Sequence, residues 1–519
     1  MMNKILSTTA AIMLMFFANI TPIHAQDKTF DDVLSMNLKN FGAIMQDEEV
    51  TGYFFFYESG KVSRKERKYI VELLDQNLEP IGRKSFTGSR YLELREGTYN
   101  GSVLALRLAD SKEDEITIKL INAAGERVGG KTYEYSVYDD PLVEQSYGAM
   151  TGMGNKRLFS IPGRGFAYYS IIPQKGRMSQ TDYNIKFISQ TKGERGWTAK
   201  SRSNSENYEA AAFVAANEEI LISTIMKRKG AMSRDLEYFI MATDVNTGDK
   251  LFEHSLEDRQ FAMSITNAYM EGENIHFFGE YYAKEEKTTK AKSLGICTFT
   301  CNKAGEFSNR QYIGWNKDVS RFLPASERGK IKDIGYMFFH KFLPTSDGKI
   351  IGIAENYHKD VSAGGMAFKA IGGRGASAFK IVVEDFYIFT FSSDFKLEGV
   401  DVIEKNKTNE SLPEGAGLYG VKTLGLLTRS YGGFDYRFAQ KDEDGFSISY
   451  LNFEKRKGEK NGYIYGSINH YDNEISVEKI NIDSEASQFY IRRAKAGYIL
   501  IIEYYYKTKR LVTRLEKVN

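Results

Sequence analysis

EITIKLINAAGERVGGKTY (Glu115–Tyr133) decides the fold: apolar and polar residues alternate, a polar turn follows, and a second β-rich run returns. The same shape recurs in YIVELLDQNLEPIGRKSF (Tyr69–Phe86), YFIMATDVNTGDKLFEHSL (Tyr238–Leu256) and FYIFTFSSDFKLEGVDVIEK (Phe386–Lys405). A β-hairpin cannot bury its apolar faces alone, so hairpins in series must stack on one another.

Each hairpin follows a further strand-like run. Gly52–Tyr57 (GYFFFY), Ser102–Leu108, Gly165–Ile172, Glu219–Met226, Asn274–Tyr282, Lys349–Tyr357 and Phe446–Phe453 are such runs, and Tyr336–Leu343 adds another antiparallel partner. Asp347-Gly348 and Asp444-Gly445 are tight-turn dipeptides, since Gly accepts φ > 0 without steric cost. The preceding runs are almost continuously apolar, whereas the hairpin strands alternate, which implies inner strands buried on both faces and outer ones wet on one. A propeller blade has this gradient. Parallel α/β folds need helical crossovers, and only Asn207–Ala216 (NYEAAAFVAA) and Phe30–Lys39 read as helices.

Strand-plus-hairpin units begin near residues 40, 90, 155, 210, 262, 335, 420 and 486. The reading is therefore all-β: a single β-propeller over 26–519 with about eight four-stranded blades, seven being the alternative count. The last unit, Gln488–Lys517, lacks a fourth strand, and Lys39–Met45 is the expected donor that closes the ring and removes the exposed edges. Two β-sandwich domains are the competing architecture, but no Pro-, Gly- or Ser-rich linker divides the chain. A Gly/Ala-rich insertion at 358–385, centred on KAIGGRGA (Lys369–Ala376), interrupts the sixth unit. It reads as a loop or a small helical flap, and Arg374 is its candidate ligand-binding residue.

Residues 1–25 have the form of a signal peptide. Lys4 precedes a short apolar core, Ala10–Asn19, and Pro22-Ile23-His24-Ala25 resembles a cleavage site. The apolar run is shorter than the roughly 20 residues that span a bilayer, so a soluble, periplasmic or secreted mature chain beginning at Gln26 is expected, a monomer with no integral membrane segment. Cys297 and Cys301 sit four apart on one strand-like run, roughly 13 Å from each other. A disulfide needs Cα atoms within about 7 Å, so both should stay reduced. Lys and Arg total 70 against 68 Asp and Glu, and without a basic block nucleic acid is not an expected partner. The 33 Tyr and 34 Phe suit packed, pleated surfaces.

Three runs end in an acid followed by tyrosine: Glu280-Tyr281, Glu355-Asn356-Tyr357 and Glu503-Tyr504. One reading is a ring of carboxylates and aromatic faces at a polar mouth, suited to a sugar or peptide. The other is a structural repeat in which Glu accepts backbone hydrogen bonds and Tyr packs between blades. His254, His276, His340, His358 and His470 form no helical metal pair, HExxH, GxSxG and Walker motifs are absent, and KAIGGRGA lacks the ending of a phosphate loop. No catalytic residue, metal or cofactor is assigned.

Met241–Phe252 (MATDVNTGDKLF) resembles the outer hairpin of quinoprotein-type propeller repeats. It is one unit only, so it implies no quinone cofactor. The signal peptide, the GYFFFY opening, the hairpin units and the insertion followed by FKIVVEDFYIFTF (Phe379–Phe391) resemble an uncharacterised family of secreted bacterial proteins. That resemblance implies fold and export and carries no activity. The expected function is an exported, non-catalytic binding or scaffold protein recognising a protein, peptide or glycan. The alternative is a carbohydrate-active hydrolase or lyase using carboxylates at the mouth.

Overall fold

The computed structural model describes residues 27–518 apart from 37–39, 47–48, 155, 174–180, 202–206, 230–235, 285, 287, 289, 324–335, 371–375, 442–444, 455–461, 472–473 and 483. The proposed signal peptide, Asp444 and Arg374 lie outside the described residues.

Eight antiparallel sheets follow one another along the chain, seven of four strands and one of five. Their first strands are Phe41–Gln46, Leu92–Tyr99, Leu158–Ile161, Asn207–Ala216, Phe261–Glu271, Tyr336–Pro344, Tyr436–Lys441 and Gln488–Arg493. Each touches the first strand of the next sheet, and the eighth touches the first, so the inner strands form a closed ring. This is an eight-bladed β-propeller.

The continuously apolar runs are the second strands, not the innermost ones. In Val103–Asp110 all eight residues are buried, because neighbouring blades cover both faces of a second strand. The third strand alternates, as in Glu115–Asn122, where Ile116, Ile118 and Leu120 are buried and Thr117 and Lys119 are less so. Fourth strands such as Pro80–Ser89 are largely wet.

Two expectations need correction. Asn207–Ala216 is the first strand of blade 4, paired with Ile220–Lys229, because the crowded inner position takes small residues: Ala210, Ala211 and Ala215 are all buried there. Packing overrides the helix preference of an alanine run. Phe30–Lys39 is no helix over its described part either: Phe30 ends a strand and Asp31–Leu34 are irregular.

Ring closure also differs from the expected donor. Blade 8 lacks its outermost strand, and Asp27–Phe30 supplies it by pairing with Arg510–Lys517, Phe30 opposite Leu511. Phe41–Gln46, overlapping the expected Lys39–Met45, is instead the inner strand of blade 1, opposite Glu49–Phe55. The cysteines lie on one strand, Gly295–Asn302, as free, buried thiols. Burial pushes both up to about 12.

In blade 7 Gly466 sits directly opposite Tyr450, and a Cβ there would fall inside the buried Tyr450 ring. Gly466→Ala should therefore cost about 1–3 kcal/mol of overpacking strain, read as a lower urea midpoint at unchanged slope. An unchanged midpoint would contradict that packing.

Candidate functional site

Alternating strand direction puts the starts of first and third strands and the ends of second and fourth strands on one face of the ring. Among the described residues, that face carries three α-helices. Helix α1 (Pro141–Thr151) joins blades 2 and 3, α2 (Ala363–Ala370) joins the second and third strands of blade 6, and α3 (Val421–Ser430) joins blades 6 and 7. Asp140 caps α1 by accepting from the Leu142 and Val143 N–H groups, Pro141 starts it, and Gly152 at φ 74° ends it. The 358–385 insertion is an outward extension of two strands, Ile350–Val361 and Ala376–Phe391, with α2 between them and Thr408–Pro413 paired alongside.

The 2/3 and 6/7 junctions lie four positions apart in an eightfold ring. Helices α1 and α3 nevertheless touch, so they meet across the axis and cover this mouth. Ala149 of α1 packs in one cluster with Leu424 and Leu427 of α3 and with Tyr357. Ion pairs hold the helices down. Arg107, fully buried, reaches Glu144 of α1 at 2.5 Å and Glu96 at 2.9 Å, and Arg157 reaches Asp139 at 2.8 Å and Glu144 at 3.1 Å. Lys422 of α3 reaches Glu280 at 3.1 Å and the Tyr282 hydroxyl at 2.7 Å.

The acids read from the sequence sit at matching places along second strands: Glu280 opposite Ser264, Glu355 opposite Phe338, Glu503 opposite Phe489. All three are buried. Glu280 accepts from Ser293 (2.7 Å) and Tyr282 (3.0 Å), and Glu503 from Ser484 (2.6 Å) and Arg514 (3.2 Å). Glu355 accepts the backbone N–H of Tyr436 at 3.0 Å and that of Asp435 at 3.3 Å. The tyrosines are equally enclosed. Tyr281 meets Phe261 and Tyr312 edge-on. The Tyr357 hydroxyl donates to Val421 O (3.2 Å) and that of Tyr504 to Val33 O (2.9 Å).

Around Glu355 lies a buried charge network. Lys405 Nζ is 3.2 Å from Glu355 and 2.6 Å from Asp435, and His340 Nε2 is 3.0 Å from Glu355. Burial raises the Glu355 carboxyl, but Lys405 and His340 outweigh it and hold it at about 2. For His340, burial dominates; together with the Arg429 and Lys405 charges it outweighs Glu355 and brings the imidazole down to about 4. Arg429 lies 3.0 Å from His340 Nδ1, and a guanidinium only donates, so Nδ1 accepts and the ring proton is on Nε2, toward Glu355. The unfolded chain takes up this proton near 6.5, the folded chain near 4. Between those values the folded state holds fewer protons, and stability falls as pH drops, by at most about 1.4 kcal/mol per unit. Glu355 continues the same sign from 4.5 toward 2, while the raised Asp435 opposes it. His340→Gln should flatten the stability-versus-pH slope between pH 6.5 and 4; an unchanged slope would mean that His340 is not held neutral.

Beside this network, on the same face, a recess of about 310 Å³ opens between blades 7 and 8. Arg429 from the last turn of α3, Arg437 from the first strand of blade 7 and Arg492 from the first strand of blade 8 line it, with Tyr431, Tyr463 and Tyr490. Arg437 donates to Tyr436 O (3.1 Å) and Arg492 to Ile491 O (2.9 Å). Arg492 also lies over the Phe41 ring, 4.9 Å from its centroid, and Arg429 5.6 Å from that of Tyr436. Among the described residues, no carboxylate comes within salt-bridge distance of any of the three arginines. Arg429 is exposed and Arg437 and Arg492 are half-buried. Desolvation in the recess still lowers all three, against the charges of Glu355 on Arg429 and of Asp435 and Glu355 on Arg437, and Arg492, next to the Arg437 charge, falls to about 10. They remain cations at neutral pH. A larger groove between blades 3 and 4, of about 470 Å³, differs in this respect: there Glu253 already pairs with Lys227 and Lys250. Among the described residues no group of three His, Cys, Asp or Glu could hold a metal.

Sequence reading missed this recess. Its trace is the pair of Arg/Tyr runs RSYGGFDYR (Arg429–Arg437) and FYIRR (Phe489–Arg493), each at the start of a blade. They meet only because consecutive first strands are neighbours.

The chain belongs to a family of unknown function, DUF6770, whose model matches residues 2–519. Comparison with curated protein sequences finds no match. Among solved structures the chain is similar to prolyl oligopeptidase B from Galerina marginata at 9% identity and TM-score 0.37, over 93% of this chain and 56% of that one. It spans little more than half of that peptidase. It is also similar to the β-propeller domain of the Trilobed protease from Pyrococcus furiosus (7% identity, TM-score 0.36, 86% of this chain and 100% of that one). A polysaccharide lyase of family PL25, an ulvan lyase, shows 9% identity and TM-score 0.35 over 95% and 96% of the two chains.

Proposed function

We propose that this family member is an exported, non-catalytic binding propeller that captures a ligand carrying anionic groups in the recess between blades 7 and 8. The observation that carries the reading is three arginines converging on one small recess with no carboxylate of the described residues at ion-pair distance. Arg429 is exposed and Arg437 and Arg492 are half-buried, so three cations crowd one opening to solvent, and an anionic ligand supplies a direct partner through charge-assisted, bidentate hydrogen bonds. The second-strand acids support a binding role rather than hydrolysis, since Glu280, Glu355 and Glu503 are each committed to internal partners. Export rests on residues 1–25, which have the charge and length of a signal peptide.

The test is a panel of charged and neutral glycans and peptides, scored for both binding and turnover. Saturable binding of anionic members with no product is expected. Turnover that disappears in Glu280→Gln or Glu355→Gln would contradict the non-catalytic reading, and absence of binding by every anionic member would contradict the recess.

A further inference from the structure

Resting on the reading of the recess as an anion site, we propose that its ligand is an acidic saccharide, a pyranose ring bearing a carboxylate or sulfate group, seated on an aromatic platform. The recess, at about 310 Å³, stands at the low end of the roughly 300–1,000 Å³ that small-ligand clefts occupy. It fits one or two sugar rings. A folded protein partner would need about 800 Å² of surface on its side, far more than a recess of this size offers.

The walls select among small anions. Tyr463 is 46% exposed and Tyr431 50% exposed, so both present ring surface to the solvent side of the recess. Tyr463 is held in place: it stacks on Phe489 (6.2 Å between centroids, 18°) and meets Phe453 edge-on (5.5 Å, 67°). A fixed, half-exposed aromatic face beside planar guanidinium forks offers an apolar surface for the C–H face of a sugar and paired donors for its acidic substituent. An inorganic anion would use the forks and leave the aromatic surface unused. A peptide that adds as a strand needs a free edge, and Tyr463 and Leu451 stand on strands already paired on both sides. Arg429 ties the recess to α3, whose other end holds Glu280 through Lys422.

The experiment titrates the mature chain with trigalacturonate, its neutral methyl ester, a sulfated galactan trisaccharide and hexaglutamate. At least one of the two acidic trisaccharides is expected to bind, which of them tells carboxylate from sulfate, and the ester should bind at least about tenfold more weakly than the acid it derives from. Arg437→Gln and Tyr463→Ala should each weaken acidic-sugar binding about tenfold or more. Tyr463 is half-exposed, so its variant should keep the thermal midpoint, which separates lost contact from lost fold. Binding of hexaglutamate with neither acidic trisaccharide bound would overturn the saccharide while leaving the anion reading intact. An acidic sugar bound equally well by Tyr463→Ala would overturn the platform. No binding by any acidic probe would overturn both.

Discussion

Phe30→Ala is expected to destabilise the protein by about 3–5 kcal/mol, the usual cost of truncating a buried phenylalanine. Phe30 ends the N-terminal strand that completes blade 8, yet its ring packs against blade 1, 5.3 Å from Phe55 and 5.9 Å from Tyr57 between centroids. One side chain thus joins the last blade to the first. Its loss leaves a cavity at the junction where the first and last blades meet. Asp27→Ala, exposed on the same strand, should change stability by less than about 0.5 kcal/mol. Urea unfolding of the two variants reads the difference, and a loss under about 1 kcal/mol for Phe30→Ala would mean that the N-terminal strand is no latch.

Arg107→Ala is expected to cost a similar amount, about 3–5 kcal/mol, because it removes one partner of a buried ion cluster and strands the others. Glu96 and Glu144 lie 2.9 and 2.5 Å from the Arg107 guanidinium, with Asp139 at 3.7 Å. Glu96 also accepts the backbone N–H of Arg157 at 3.0 Å and of Leu158 at 2.6 Å, so the cluster joins blade 2 to blade 3. Glu144 belongs to α1, and losing Arg107 should loosen that helix across the mouth as well. Hydrogen exchange at α1 separates the two effects: faster exchange there than in the blade strands is expected. Uniform exchange at unchanged stability would contradict the clamp.

Much of the architecture was legible because β-structure writes itself locally. Alternation in Glu115–Asn122 and the apolar run Val103–Asp110 follow from which faces neighbouring blades cover. The expected unit starts near 40, 90, 155, 210, 262, 335 and 486 fall close to the observed first strands. The seventh, near 420, fell on α3 ahead of its strand at Tyr436. The failures share a cause in non-local packing. Asn207–Ala216 has helical composition, and its strand pairing is decided by neighbours along the inner ring. Nothing local distinguishes Asp27–Phe30 from Phe41–Gln46 as the closing strand; the distinction is which edge of blade 8 stands open. The site was harder still. Glu280, Glu355 and Glu503 stand out as a repeat, but whether such acids face solvent or an ion-pair partner depends on Lys422, Lys405 and Arg514 arriving from elsewhere. Arg437 and Arg492 belong to different blades and carry no motif that links them.

The most direct measurement of the central claim compares the affinity of the wild-type chain for an acidic trisaccharide with that of Arg437→Gln/Arg492→Gln, by isothermal titration at low salt and with both thermal midpoints recorded. A loss of about 100-fold or more, with the folded state retained, is expected from removing two charge-assisted contacts. Equal affinity in the wild type and the double variant would contradict the recess as the binding site.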